Sequence, residues 1–184
     1  MAVHRKKRRA IDVPGHAHFL TYSCHQRLPL LSSDRSRRWV IEAFETVRQA
    51  RSIQLWAYVI MPEHVHVILR SQRPEERMSH VLASLKRGVA RKARLFLDES
   101  GNHIWLDRLS VRHGGRRVFR FWQAGGGYDK NIWHERTVWQ VIDYIHANPV
   151  RRGLASNPDE WEWSSSRYWN GDHDVPIRMD PIVI

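Results

Sequence analysis

A single cysteine in 184 residues leaves Cys24 without a partner. That excludes an internal disulfide framework and a cysteine zinc site, and it fits a reducing compartment. Within the strand-like "HFLTYSCHQ", Cys24 reads as a buried, inert thiol. No apolar run approaches the roughly 20 residues of a membrane span, and none follows the basic N-terminus. Neither an anchor nor a secretion signal is expected, so the expected location is the cytoplasm. Acidic residues are few against basic ones, 19 to 30, for a formal charge of +11. Such a surplus favours a polyanionic partner, which suits a nucleic-acid enzyme and a basic binding protein equally. The chain has no internal repeat and no linker, and 42% of it is hydrophobic. It is therefore read as one domain over 1–184, with a basic tail at 1–12 and an extended tail at 170–184.

The pattern along the chain predicts strand, helix, strand, strand, helix, strand and one further helix. After a turn at Pro14-Gly15, the first strand runs roughly from His18 to His25. The first helix is capped near Ser33 or Asp34, with Val40, Ile41, Phe44 and Val47 as its core face. "IQLWAYVIM" and "HVHVILR" are strands broken only at Pro62-Glu63, so they pair antiparallel. A helix from about Pro74 to Leu97 carries Met78, Val81, Leu82, Leu85 and Val89 as its stripe. Lys86, Arg87, Arg91 and Lys92 flank that stripe and read either as solvated surface or as a ridge on DNA phosphates. Arg5, Lys6, Lys7, Arg8 and Arg9 form a second candidate phosphate contact. The segment 98–127 is read as a strand and loops at the rim of a site, ending in a flexible glycine run. "YDKNI" is the last core strand. The helix "HERTVWQVIDYIHANP" ends at Asn148-Pro149. This order predicts an α+β fold: a ferredoxin-like β-α-β-β-α-β antiparallel sheet with an additional C-terminal helix that carries a tyrosine.

In "MPEHVHVIL", alternation places Val65, Val67 and Leu69 on one face and His64, His66 and Ile68 on the other. In the predicted topology the valines face the crossover helices, and the histidines are left for the additional helix to cover. On that helix Val138, Ile142 and Ile145 form the core stripe, with Tyr144 and Asn148 one turn apart beside it. The arrangement suits a divalent ion on His64, His66 and Asn148, polarising a phosphate that Tyr144 attacks. A phenol attacks poorly at neutral pH without such help. A covalent phosphotyrosine would conserve the phosphodiester bond and permit rejoining. Two rivals stay open at this point. One is a non-catalytic single-strand-binding sheet, which needs exposed aromatics on the strand face. The other is a zinc hydrolase with His16, His18 or His134 as third ligand. A tyrosine on an amphipathic helix is also more often a packed ring than a nucleophile.

The boxes "AYVIMPEHVHVIL", "SLKRGVARKARLF", "VIDYIHANPVRRGLASNP" and "WEWSSSRYW" give the chain a further reading. In these boxes and their order it resembles the HUH single-strand transposases that use one tyrosine, and among them the REP-associated tyrosine transposase branch. The resemblance covers most of the chain. It implies a DNA-nicking and strand-joining enzyme with metal ligands at His64 and His66, a polar helper ligand at Asn148 and the covalent nucleophile at Tyr144. It further implies magnesium or manganese as cofactor, single-stranded DNA hairpins of the repetitive extragenic palindrome type as substrates, and attachment to the 5′ side of the break. Such proteins act as mobile elements or as stand-alone enzymes. A homodimer is compatible, with Tyr144 serving either its own subunit's histidines or the partner's. One departure is "VFRFWQAGGGYDKNI": such proteins commonly carry a short tryptophan-glutamine-arginine segment before the last strand, whereas here glycines follow the glutamine.

Overall fold

The computed structural model describes residue 13 and residues 15–184. Its regular elements are β1 (Ala17–Ser23), α1 (Asp34–Arg51), β2 (Ile53–Ile60), β3 (His64–Ser71), α2 (Met78–Glu99), α3 (His103–Arg108), β4 (Ser110–His113), β5 (Arg116–Phe119), β6 (Tyr128–Ile132), α4 (Glu135–His146), α5 (Asn148–Arg151) and α6 (Ser166–Trp169). Four strands form one sheet in the order β2-β3-β1-β6, with every neighbouring pair antiparallel. The result is a mixed α+β fold with helices on both faces of the sheet.

Side-chain alternation decides what each face holds. Leu20, Tyr22, Val65, Val67 and Leu69 point into one core, where α1 contributes Val40, Phe44 and Val47 and α2 contributes Val81, Leu85 and Val89. Ala17, Phe19 and Ile68 point the other way, into a second core closed by Val138, Ile142 and Ile145 of α4. Ile142 and Ile145 are fully buried, and each contributes about 2 kcal/mol toward docking α4. In β2 the alternation slips at a bulge between Leu55 and Ala57. Leu55 and Tyr58 thus serve the first core, whereas Trp56, Ala57 and Val59 serve the second.

Local chemistry sets the helix ends. Ser33 caps α1 by accepting from the Ser36 N–H, Asp34 lies in the first turn, and Arg48 and Arg51 lie in the last. The helix α2 starts at Met78 rather than near Pro74, after a turn at residues 74–75. The strand β1 stops at Ser23, and His25–Arg27 make a tight 3-10 turn in which Gln26 and Arg27 adopt left-handed backbone angles. The break expected at Asn148-Pro149 is only a bend. Proline is tolerated in a first helical turn, and a new turn, α5, begins at Asn148.

Two regions differ more from expectation. The segment 98–127 holds the short helix α3 and a separate β4–β5 ribbon, and Gly127 is packed closely against Thr21. The last residues lack regular structure but are docked. Ile177 and Met179 are buried, and the Asp180 carboxylate accepts from the Leu55 N–H while Arg48 donates to it. Together with the Val59–Ser164 bridge and the Ile60–Trp163 hydrogen bond, this covers the free edge of β2. Cys24 is buried, and that burial pushes its thiol up to about 12. No helix among the described residues is long and apolar enough to cross a membrane.

Candidate active site

The strand β3 presents His64 and His66 toward α4, and their Nε2 atoms face each other at 3.0 Å. Each opposite ring nitrogen already has a partner. His66 Nδ1 is 2.7 Å from Thr21 Oγ1, which the β1–β3 register sets directly across the sheet. His64 Nδ1 is 3.1 Å from a Glu63 carboxylate oxygen, which accepts its proton. Glu63 fixes the tautomer of His64, and both outer partners aim the remaining ring nitrogens at each other. Two imidazole lone pairs at this separation repel unless a proton or a cation lies between them. Two nitrogens in adjacent positions of an octahedral ion with bonds of about 2.1 Å stand roughly 3.0 Å apart. The pair therefore fits a divalent cation. Among the described residues, no three His, Cys, Asp or Glu side chains are grouped to hold a metal; a cation on this pair would need donors of another kind.

Electrostatics keep both rings neutral. Burial lowers the His64 pKa and outweighs the opposing pull of Glu63, with Arg27 and Arg152 lowering it further. Burial, then His64, pulls His66 down to about 3. Burial pushes the Glu63 carboxyl up, but the Arg152 hydrogen bond and the neighbouring positive charges hold it below its ordinary value.

The helix α4 brings Tyr144 to the same place. Its ring lies 5.8 Å from that of His66 and 6.1 Å from that of Phe19, both edge to face. Tyr144 stays 41% exposed, so the residue is open to solvent. Arg151 lies 5.2 Å over the same ring, a cation–π contact. Asn148 sits one turn on, with Nδ2 donating to the Tyr144 and Ile145 carbonyls at 2.7 and 3.3 Å. Its amide oxygen is the atom left to coordinate. One turn further, Arg152 donates to Glu63 at 2.8 Å, so this segment meets the histidine strand at Tyr144 beside His66 and again at Arg152. At the C-terminus of α4, His146 Nε2 lies 2.8 Å from Ser165 Oγ, which also accepts from the Tyr58 N–H of β2.

The other predicted residues lie elsewhere. The second core and the histidines occupy one sheet face, whereas α2 with Lys86, Arg87, Arg91 and Lys92 covers the other. Arg87 and Arg91 are exposed. Lys92 pairs with Glu42, and Lys86 donates to the Gly125 carbonyl at 2.8 Å, its pKa lowered by burial to about 8. These two lysines brace the fold, so they present less free charge than the sequence suggested. Arg5, Lys6, Lys7, Arg8 and Arg9 lie outside the described residues. The zinc-hydrolase alternative loses its third ligand. His18 points to the opposite face and bonds Asp129 at 2.8 Å. His16 stacks on Trp133, and His134 neighbours the same ring, at the far end of β1 from Thr21. The stacking alternative also weakens, because Phe19 on the strand face is buried.

Sequence reasoning passed over Thr21, Glu63, Arg152 and Gly127. A Cβ on Gly127 would lie 2.3 Å from the Thr21 carbonyl oxygen. Glycine there lets β6 begin flush against the residue that orients His66. Of these, Glu63 carried a signal in the sequence, because it adjoins the histidine pair.

No family model matches the chain. It is 22% identical over 168 residues to a Haemophilus influenzae protein provisionally named REP-associated tyrosine transposase, a match covering 82% of this chain and 90% of that one. It is 24% identical over 119 residues to a REP-associated tyrosine transposase of Escherichia coli K12, covering 65% of this chain and 58% of that protein's length. It also resembles the solved structure of a REP-associated tyrosine transposase bound to a REP hairpin. There the TM-score is 0.68 at 19% identity, over 98% of this chain and 100% of that one. At that identity the structural likeness carries the fold.

Proposed function

We propose that this chain, which belongs to the REP-associated tyrosine transposase branch of the HUH transposase family, cuts and rejoins single-stranded DNA through a covalent bond to Tyr144. DNA cleavage and strand transfer are the family's general activity; the residue roles and the substrate form are our reading. The observation that carries it is the exposed Tyr144 ring 5.8 Å from His66, whose Nε2 converges with that of His64. The strand order β2-β3-β1-β6 supports a ferredoxin-like sheet as the single domain's scaffold.

In this reading His64, His66 and the Asn148 amide oxygen would hold magnesium or manganese, which would supply Lewis-acid polarisation of the scissile phosphate. Tyr144 Oη attacks phosphorus in line and loses its proton to solvent. The bond from phosphorus to the 3′ oxygen breaks and that oxygen takes a proton from solvent, leaving a free 3′-hydroxyl and a 5′-phosphotyrosine. A second 3′-hydroxyl reverses the step and joins a new strand. Arg151 and Arg152 place positive charge where negative charge gathers on the phosphate oxygens. The neutral imidazoles keep their lone pairs for ligation, and Thr21 and Glu63 hold them in register. The +11 charge supports a nucleic-acid substrate, and a DNA hairpin is the form we favour.

The test is to incubate wild type and Tyr144→Phe with a labelled single-stranded hairpin and manganese, then separate products on denaturing gels. The expected result is a labelled protein adduct that maps by mass spectrometry to Tyr144, with neither nick nor adduct in the variant. Normal cleavage by the variant, or a label on another tyrosine, would overturn the reading.

A further inference from the structure

We infer that the β4–β5 ribbon grips the phosphate backbone of a duplex DNA stem while the histidine face takes the adjoining single strand. This rests on the DNA-cleaving reading above and assigns the substrate's paired part to a surface of its own.

The segment from Arg108 to Arg120, "RLSVRHGGRRVFR", holds five arginines and no acidic residue. The register sets Arg112 opposite Arg117 and His113 opposite Arg116. Like charges directly across a ladder destabilise it. Arg117 finds relief in Asp107, but among the described residues Arg112 and Arg116 have no carboxylate partner. A ribbon of two strands has little stability of its own, and this one buries almost nothing: no residue from Ser110 to Phe119 is fully buried. The sequence therefore concentrates repulsive charge where it has least packing to offset it. A polyanion laid along the ribbon removes that repulsion.

Shape and place agree. Gly114 and Gly115 both have positive φ, 56° and 77°, which closes a tight two-residue turn without a bulky side chain at the tip. A narrow two-stranded ribbon fits the major groove of a duplex, and guanidinium forks match phosphate oxygens. Just beyond the ribbon, Phe121 bonds His25, Trp122 bridges Cys24 and Gln123 bonds Ser23. Ser23 stands across from His64 in the sheet. The ribbon thus springs from the end of the sheet where His64 lies, so a stem held there delivers its unpaired flank toward the site.

The test compares the full chain with Arg112→Gln/Arg116→Gln and Arg112→Lys/Arg116→Lys, in metal-free buffer, on two labelled probes. One is a DNA hairpin with a short 5′ single strand; the other is an unpaired oligonucleotide of equal length. In the glutamine variant, hairpin Kd should rise about ten-fold near 0.15 M salt, and its log–log salt slope should fall by about 2, at roughly 0.9 per phosphate contact. The unpaired probe should change less than about two-fold, and the lysine variant should keep most hairpin affinity. Unchanged hairpin affinity and slope, or equal loss on both probes, would overturn the assignment. Because binding is read without metal, a wild type that never cleaves would remove the nuclease reading and leave this test standing.

Discussion

Arg152 reaches across from the turn after the tyrosine helix and donates to Glu63, the same carboxylate that accepts from His64. The segment that follows the tyrosine helix and the histidine strand are thereby tied into one unit. Glu63→Gln keeps the shape but removes the charge that makes the group a strong acceptor. Manganese affinity should fall about ten-fold, the lower end for an outer partner of a metal ligand. Calorimetric titration checks this; an unchanged affinity would show that the carboxylate serves only to hold Arg152.

The buried network at His146 predicts a pH dependence of stability. Burial, opposed only weakly by Asp159, lowers the His146 pKa from 6.5 to about 4. The unfolded chain therefore binds a proton that the folded chain refuses once pH falls below about 6.5. This contribution to stability is complete above that pH and is lost as pH falls toward 4. Between pH 7 and pH 5 the loss from this residue is about 2 kcal/mol. Metal-free denaturant melts at the two pH values measure it, and His146→Gln should show a flatter difference than wild type.

Much of this architecture was legible because burial leaves a periodic trace. The stripes of α1, α2 and α4 and the alternation of β3 follow directly from helical and strand spacing, so His64, His66 and Tyr144 could be singled out before their neighbourhood was known. Thr21 and Arg152 could not, since they meet their partners over separations of 45 and 89 residues, set by strand register and helix docking. The β4–β5 ribbon was illegible for the opposite reason: it faces no core, so "SVRH" and "RRVF" carry no apolar alternation to read. The docked C-terminus escaped because it covers β2 through isolated bonds and two buried side chains.

The glycine run supplies a prediction with its own control. Gly125 and Gly127 both have positive φ, but a Cβ on Gly125 meets nothing within 4 Å, whereas one on Gly127 meets the Thr21 backbone. Gly125→Ala should cost about 1–2 kcal/mol from backbone strain alone. Gly127→Ala should cost about 3 kcal/mol or more, because the start of β6 must move off β1. Thermal melts rank the two. Gly127→Ala should also weaken manganese binding, since Thr21 orients His66; equal effects at both positions would discard the close-approach argument.

Replacing both His64 and His66 with alanine separates metal ligation from DNA holding. The two rings are buried, so the double change leaves a void and exposes the outer partners Thr21 and Glu63 to a lost hydrogen bond each. A stability loss of about 2–4 kcal/mol is expected from those terms. The α4 core stripe of Val138, Ile142 and Ile145 still packs on Ala17, Phe19 and Ile68, so the fold should persist. Manganese binding should disappear, because no three other His, Cys, Asp or Glu side chains among the described residues are grouped to replace the pair. Hairpin binding in metal-free buffer should change little, as the change removes no arginine and the ribbon arginines lie outside the site. Asn148→Ala should be milder, because water can stand in for one neutral oxygen donor. Calorimetry for manganese, beside anisotropy for the hairpin, gives both readings on one preparation. Manganese bound as tightly by the double variant as by wild type, at one site and in the folded state, would mean that the facing imidazoles are a buried structural pair and that the metal, if used, sits elsewhere.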